Sequence, residues 1–346
     1  MAARERSGER GRRLVVAVRR SRGVAHHRSR ALAVHAQHRR LDLRPARPAV
    51  AGPRAVARRR PLGAARAGPR SPRRPAALSA AAGGRESPLI DAHAHLTDAR
   101  FASDLDAVLD RARGAGVTRI LTCGEDVTSS EAAIAIARIH SDVRVAVGVH
   151  PHRAASLDDT AVSALRRLAA DERVVAIGEI GIDLSGRSAP RADQERAFLA
   201  QVDLAAELGL PVVVHVRDAG PVVRALLAGR VVRGQLHCYS EGPAELEAWR
   251  GLGLVPSFAG PVTYRANRAL REAAGMGGPV LLETDAPYLA PEGYRGQRNE
   301  PALVAVAYRV VAAERGADLA SLIATTDATA GDLFGPRWET ARISAA

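Results

Sequence analysis

The stretch LIDAHAHL, residues 89–96, joins an apolar run typical of a buried strand to two histidines one residue apart. Side chains two positions apart on a strand point to the same face, so we expect His93 and His95 to project together, with Asp91 one step behind. Two imidazoles on one strand face indicate a metal site, although two ordinary polar residues at a strand end would give the same pattern. The remainder of the chain separates these interpretations.

Charge divides the chain of 346 residues near position 88. Residues 1–88 hold 23 of the 50 basic residues and 4 of the 37 acidic ones, a balance of +19, whereas residues 89–346 carry a balance of −6. Every basic residue is arginine, and the chain has no lysine. The strongly basic character of the whole chain therefore belongs to its first 88 residues.

The segment 1–88 is predicted to be a disordered leader. It is rich in Arg, Ala, Pro and Gly and has no sustained apolar period, so it cannot bury enough apolar surface to offset the entropy lost on ordering. Three origins stay open: an organellar transit segment, an arginine-rich arm that binds nucleic acid, and an upstream stretch translated from a mis-called start codon.

Two features bear on the surroundings of the protein. No apolar run approaches the roughly 18 residues of a membrane span, so we expect no membrane association. Cys123 and Cys238 fall in separate predicted strands and form no spaced pair, which indicates a reducing compartment. No segment indicates an obligate protein partner.

Residues 89–346 alternate between short apolar runs and amphipathic helical stretches, of which the clearest ends at Gly209. Runs that are apolar on both faces are typical of a covered parallel sheet. Eight such runs in about 250 residues predict a (β/α)₈ TIM barrel. A doubly wound sheet is the alternative, but HAHL occupies the place of its glycine-rich phosphate loop. The predicted strands are 89–93, 118–124, 143–149, 174–180, 211–216, 233–238, 252–258 and 280–285.

Six of the seven histidines after residue 88 lie at or just past the C-terminal end of a predicted strand, and His140 is the exception. The acids Glu179 and Asp285 end the fourth and eighth strands. In a barrel these ends converge on the rim that carries active sites. Histidines with only structural roles would not select the same end of four strands, so the pattern favours metal binding. The six histidines are His93, His95, His150, His152, His215 and His237.

The absence of lysine excludes a carbamylated lysine as a bridge between two metals, so the bridging ligand is predicted to be a carboxylate. Glu179, flanked by glycines in AIGEIGID, is the candidate, because glycines let the backbone pack closely around it. The predicted site binds two divalent ions, for which the nitrogen ligands favour Zn²⁺ or Mn²⁺ and the carboxylates also accommodate Mg²⁺. The first ion is assigned to His93, His95, Glu179 and Asp285, and the second to Glu179, His215 and His237.

The motifs DAHAHL, AVGVHPH, IGEIGID, VVVHVRDA, LHCYS, LLETDAPYLAP and YRGQRNEP make residues 89–335 resemble the TatD family of metal-dependent deoxyribonucleases, within the amidohydrolase-like barrels. The resemblance implies a cytoplasmic nuclease that trims DNA from its 3′ end. It also implies metal-ligand roles for six residues, namely His93, His95, Glu179, His215, His237 and Asp285. Leu184 and Gln297 depart from the family pattern, where an aromatic residue and a lysine are usual, and neither is a predicted ligand.

The predicted chemistry is hydrolysis of a phosphodiester by metal-activated water. Asp285 is assigned as both ligand and general base, Glu179 as the bridge, and His150 as a contact to the phosphate or leaving group. The balance of −6 suits a short nucleic-acid end better than a long duplex. The alternatives are a D-aminoacyl-tRNA deacylase or another ester or amide hydrolase, and, outside enzymes, a decayed barrel that binds nucleic acid through the leader.

Overall fold

The structure is a computed structural model that describes residues 88–186 and 189–339. The leader predicted for residues 1–88 lies outside the described residues except for Pro88, and so does the end of the predicted barrel domain beyond residue 339. The domain boundary near residue 88 therefore stays a prediction.

Eight parallel strands follow one another around the sheet in chain order. The last strand returns to the first, because the Asp285 amide donates to the His93 carbonyl over 2.9 Å and the His95 amide donates to the Ala286 carbonyl over 2.7 Å. With a helix between successive strands, this confirms the predicted (β/α)₈ barrel. The strands are β1 (Leu89–Ala94), β2 (Val117–Cys123), β3 (Val143–Val147), β4 (Val174–Asp183), β5 (Val212–Arg217), β6 (Gly234–Leu236), β7 (Leu254–Phe258) and β8 (Leu281–Leu282).

The helices cover the strands by burying one face each. In α4 one face contains buried Phe198, Val202 and Ala205, and the helix ends where Gly209 adopts the left-handed conformation at φ 66°. The helices are α1 (Leu105–Gly114), α2 (Val127–Ile139), α3 (Asp159–Leu168), α4 (Arg191–Leu208), α5 (Gly220–Leu227), α6 (Pro243–Gly251), α7 (Arg268–Gly275), α8 (Val304–Arg315), α9 (Leu319–Phe334) and α10 (Pro336–Glu339). Short 3₁₀ turns lie at Ala99–Phe101, Pro151–Ser156, Gly260–Thr263 and Pro301–Leu303.

The C-terminal helices α9 and α10 pack against the starts of the strands. Phe334 and Trp338 are buried together with strand residues. Arg144 in β3 donates to the Arg337 carbonyl over 2.7 Å, and Arg337 donates to the Val174 carbonyl at the start of β4 over 2.9 Å. The opposite end of the barrel, where the strands finish, is the end that carries the histidines.

Two strands have half the predicted length or less. The predicted runs 233–238 and 280–285 reduce to β6 and β8. Cys238 and Asp285 adopt left-handed backbone conformations at φ 45° and 57°, which a strand ladder excludes. The prediction that Cys238 lies in a strand is therefore wrong. Instead, the Cys238 amide donates to the buried Glu283 carboxylate over 2.7 Å.

Both cysteines are free thiols, with Cys123 buried in β2 and Cys238 partly buried after β6. Burial raises the pKa of both thiols well above the ordinary value, so they stay protonated at neutral pH. Among the described residues, no helix combines the length and the apolar character that crossing a bilayer requires.

Candidate metal centre

The two histidines of LIDAHAHL converge at the end of β1, as predicted. Their Nε2 atoms lie 3.2 Å apart, and His93 is fully buried while His95 is 6% exposed. The His93 ring also stacks on the ring of His237, with centroids 3.6 Å apart. Three imidazoles therefore share one small buried volume at the end of the barrel.

Glu179 faces two sets of nitrogen atoms with its two carboxylate oxygens. Oε2 lies 3.3 Å from His93 Nε2 and 3.4 Å from His95 Nε2. Oε1 lies 2.8 Å from His215 Nδ1 and 3.6 Å from His237 Nε2. The single carboxylate thus stands between the histidines of β1 and those that follow β4 around the barrel.

The glycines around Glu179 permit this close packing. A Cβ atom at Gly148 would lie 2.7 Å from the carbonyl carbon of Gly178. At Gly181, which has φ 153°, it would collide with the carbonyl oxygen of His215. Only glycine leaves room for backbones to approach this closely, in keeping with the reason given for the glycines of IGEIGID, of which Gly178 is approached at its carbonyl carbon and Gly181 would itself collide.

Asp285 reaches the same volume from the turn after β8. Its Oδ1 lies 3.3 Å from His95 Nε2, 3.8 Å from His93 Nε2 and 3.9 Å from His237 Nε2. The Asp285 side chain is 12% exposed and the Glu179 side chain 2%. Asp285 is therefore the carboxylate of this pair that solvent and substrate can reach.

His237 is oriented by Glu283, a fully buried acid that the sequence analysis did not select. Its Oε1 lies 2.8 Å from His237 Nδ1, while Oε2 accepts hydrogen bonds from Gln235 over 2.8 Å and from Ser257 over 2.5 Å. With its proton on Nδ1, beside this carboxylate, the neutral ring has its Nε2 lone pair on the side of Glu179 and Asp285. A carboxylate behind a histidine in this way is common in metal sites.

Asp183 stands behind His215 in the corresponding way. Asp183 Oδ2 lies 3.5 Å from His215 Nε2 and 2.9 Å from His152 Nε2, and Oδ1 accepts from the Ser185 amide over 2.8 Å and from its hydroxyl over 2.6 Å. His215 therefore presents Nδ1 to Glu179. Both supporting acids lie in motifs already noted, Asp183 at the end of IGEIGID and Glu283 within LLETDAPYLAP, directly after β8. An acid at the end of a strand was the signal that could have selected them.

His150 joins the group in a different protonation pattern. Its Nδ1 accepts a hydrogen bond from the His152 amide over 3.2 Å, so the proton of the neutral ring is on Nε2, which lies 3.5 Å from Glu179 Oε1. Burial lowers the pKa of His150, which keeps the ring neutral at pH 7. His150 is thus a hydrogen-bond donor to this volume, in keeping with its predicted role at the phosphate.

The electrostatics of the centre favour added positive charge. Burial opposes the charged form of each histidine, yet the carboxylates of Asp285 and Glu179 raise the pKa of His95 to about 9. Glu283 and Glu179 overcome burial in the same way and raise the pKa of His237 to about 10. Three buried carboxylates around these rings therefore attract cations, whether protons or a metal ion.

The donor atoms fit a metal site. Two ligands held 2.0–2.1 Å from a tetrahedral ion lie about 3.3 Å apart, close to the 3.2–3.4 Å that separates His93 Nε2, His95 Nε2 and Glu179 Oε2. Glu179 Oε2 is buried and makes no hydrogen bond within the described part of the chain. A bound cation would give this oxygen a partner. Groups that could hold an ion are His93–His95–Glu179, His93–His237–Asp285, His150–Glu179–His215 and His237–Cys238–Glu283.

Known proteins share this architecture. Residues 90–335 match the family model described as TatD related DNase. The chain is 39% identical over 256 residues to the 3'-5' ssDNA/RNA exonuclease TatD of Cronobacter sakazakii, covering 71% of this chain and 97% of that protein. It is 37% identical over 257 residues to the protein of the same name from Escherichia coli K12, covering 71% and 99%.

A solved structure gives the same result. The crystal structure of YJJV, a TatD homolog from Escherichia coli K12, is 27% identical and superposes with a TM-score of 0.69 over 72% of this chain and 99% of that one. The motifs at the ends of the strands predicted this relationship. With its barrel, its cluster of histidines and acids and these relatives, the chain belongs to the TatD-related DNase family of hydrolases.

Proposed function

We propose that this chain is a 3′–5′ exonuclease that uses two divalent ions to trim single-stranded nucleic-acid ends, DNA above all. The observation that carries the proposal is the position of Glu179, whose two oxygens face different nitrogen sets. A carboxylate placed in this way can bridge two ions. The relatives named as 3'-5' ssDNA/RNA exonucleases support the choice of substrate.

The ligands divide between the two oxygens of Glu179. His93, His95 and Asp285 would hold one ion beside Oε2, and His215 and His237 would hold the other beside Oε1. The nitrogen-rich donor set favours Zn²⁺ or Mn²⁺ over Mg²⁺. When bound, such ions supply Lewis acidity that polarises phosphoryl oxygens and acidifies water.

The protein side chains supply the proton transfers and the positioning. Asp285, the more exposed of the two acids that face the histidines of β1, accepts a proton from the attacking water. His150, with its proton on Nε2, donates a hydrogen bond to a phosphoryl oxygen. Glu283 and Asp183 hold His237 and His215 in the orientation that points their lone pairs inward.

The charge of the barrel limits the kind of nucleic acid it can hold. Residues 89–346 carry a balance of −6, which opposes a long polyanion lying along the surface. A short end held at the rim needs fewer phosphate contacts. The two free, buried or partly buried thiols fit a reducing compartment, and we propose the cytoplasm as the place of action.

The test is a strand-shortening assay on a 5′-labelled single-stranded DNA. We expect a ladder of products shortened from the 3′ end when Mn²⁺ or Zn²⁺ is present and intact DNA after chelation. Asp285→Asn should abolish the ladder. His140→Ala is the matched control, because that ring lies at the end of α2 and pairs with Asp106 over 3.3 Å. Release of amino acid from D-aminoacyl-tRNA with no DNA shortening would instead favour the deacylase alternative.

A further inference from the structure

Two exposed apolar side chains stand beside the metal centre. Among the described residues, the large apolar side chains left exposed are Ile139, Val231, Tyr288 and Leu289. The last two are neighbours in the loop after β8. The Tyr288 ring lies edge to face with His95, with centroids 5.8 Å apart. An apolar surface therefore adjoins a centre that is otherwise polar.

This surface is held rigidly. The Tyr288 amide donates to the Asp285 carbonyl over 2.8 Å, and the Tyr288 carbonyl accepts from Asn299 Nδ2 over 2.7 Å. Leu289 adopts a left-handed conformation at φ 50°, which a leucine avoids unless its surroundings impose it. The loop thus keeps both side chains at the surface.

Arg100 completes a flat layer with Tyr288. Its guanidinium lies over the Tyr288 ring, 4.2 Å from the centroid. Two parallel hydrogen bonds of 2.9 and 2.8 Å join it to the Asp98 carboxylate. The same carboxylate also accepts a hydrogen bond from the Tyr288 hydroxyl over 3.1 Å. The carboxylate neutralises the guanidinium, so this layer is suited to a flat uncharged ring rather than to a phosphate.

A second arginine–tyrosine pair shows the contrast. Arg295 lies over the Tyr264 ring at 4.6 Å and has no carboxylate partner within the described residues. Its charge is available to a phosphate, whereas the charge of Arg100 is not. The two pairs therefore suit different parts of a nucleotide.

We propose that Tyr288, Leu289 and Arg100 form a stacking platform for the base of the nucleotide being removed. The proposal rests on the proposed function, since it needs a phosphate at the histidine and carboxylate cluster, which places the attached base within reach of Tyr288. Stacking on an aromatic ring tolerates any base but requires that the base be unpaired. The platform would therefore select single-stranded ends without selecting sequence.

The test compares two single-stranded DNAs that differ only in whether the 3′-terminal nucleotide carries a base or is abasic. Both carry phosphorothioate linkages that slow cleavage, and affinity is measured by fluorescence anisotropy with Mn²⁺ present. Wild type should bind the abasic DNA about 5- to 150-fold more weakly, the range for loss of one stacked base. Tyr288→Ala should weaken binding of the DNA with the base by a similar factor and leave the abasic DNA unchanged.

Two further variants make the comparison specific. Tyr288→Phe keeps the ring and should retain the preference for the base. Val231→Ala removes a side chain that is 98% exposed and outside the platform, and should change neither affinity. If Tyr288→Ala weakens both DNAs equally, or neither, while wild type still shortens DNA from its 3′ end, the platform is wrong and the exonuclease stands. If wild type does not shorten DNA, the exonuclease proposal and the platform both fail.

Discussion

Replacing Glu283 by glutamine tests whether this buried acid raises the metal affinity of His237, the histidine that it contacts. The native carboxylate lies against His237 Nδ1 and accepts from Cys238, Gln235 and Ser257 at 2.5–2.8 Å. Glutamine preserves the volume and one oxygen. Its NH₂ group can face the Ser257 hydroxyl, which is able to accept, and the Gln235 amide, which can turn to present its otherwise unpartnered Oε1. The amide oxygen of the glutamine then still serves His237.

The expected effect follows from what glutamine removes, namely the charge behind the ring. Loss of such a supporting carboxylate lowers metal affinity about 10- to 100-fold, equivalent to about 1.4–2.7 kcal/mol. Glu283→Ala would be a poor test, because it would strand several buried donors at about 1–3 kcal/mol each. Together these costs approach the net free energy of unfolding of a domain, about 5–15 kcal/mol.

The assay is a chelator competition that measures Zn²⁺ affinity, with a thermal melt of the metal-free protein to confirm folding. Ser257→Ala is the matched control, because it removes a hydrogen bond to Glu283 without touching His237, and its metal affinity should stay within about threefold of wild type. A Glu283→Gln protein that folds and binds Zn²⁺ as tightly as wild type would refute the argument that this acid orients His237.

Three further predictions follow from the same geometry. Glu179→Ala should reduce turnover more than His93→Ala, because only Glu179 faces both nitrogen sets. Equal losses of turnover would contradict the bridging role of Glu179. Since the pKa values of His95 and His237 are raised to about 9 and about 10, both rings are protonated at pH 7 and metal must displace those protons. Metal affinity should therefore increase from pH 7 to about 9, and a pH-independent affinity in chelator competition would contradict this. Deleting residues 1–86 should leave the rate of DNA shortening unchanged, because every proposed ligand lies beyond them; a truncated protein that lost activity in that assay would show otherwise.

The sequence predicted the parts of the site that follow from strand periodicity. His93 and His95 meet because residues two apart on a strand share a face. Glu179 reaches the centre because glycines flank it, and no other residue type allows the backbones to approach so closely. The order of strands around the barrel also follows, because parallel strands joined by helices add in chain order when the sheet closes.

The parts that the sequence did not predict depend on departures from regular structure. Cys238 and Asp285 leave the strands through positive φ values, and an unbroken apolar run gives no sign of such a turn. The roles of Glu283 and Asp183 depend on which neighbour each acid contacts across the barrel, between residues up to 46 positions apart. Alternation along a single strand cannot indicate a contact of this kind.

The platform residues illustrate the same limit. Tyr288 and Arg100 are 188 positions apart and meet only because β8 closes against β1, which brings the loops after those two strands together. In the sequence, Tyr288 is one aromatic residue in LLETDAPYLAP and Arg100 one arginine among 50 basic residues. Their stacking and the neutralisation of Arg100 by Asp98 emerge only from the folded rim.

The central claim, that Glu179 bridges two ions, is tested most directly by anomalous diffraction from crystals of the protein grown with Mn²⁺. We expect two anomalous peaks about 3.5–4 Å apart, one beside Oε2 among His93, His95 and Asp285 and one beside Oε1 near His215. No peak at Glu179, or a single ion that contacts only one of its oxygens at saturating Mn²⁺, would contradict it.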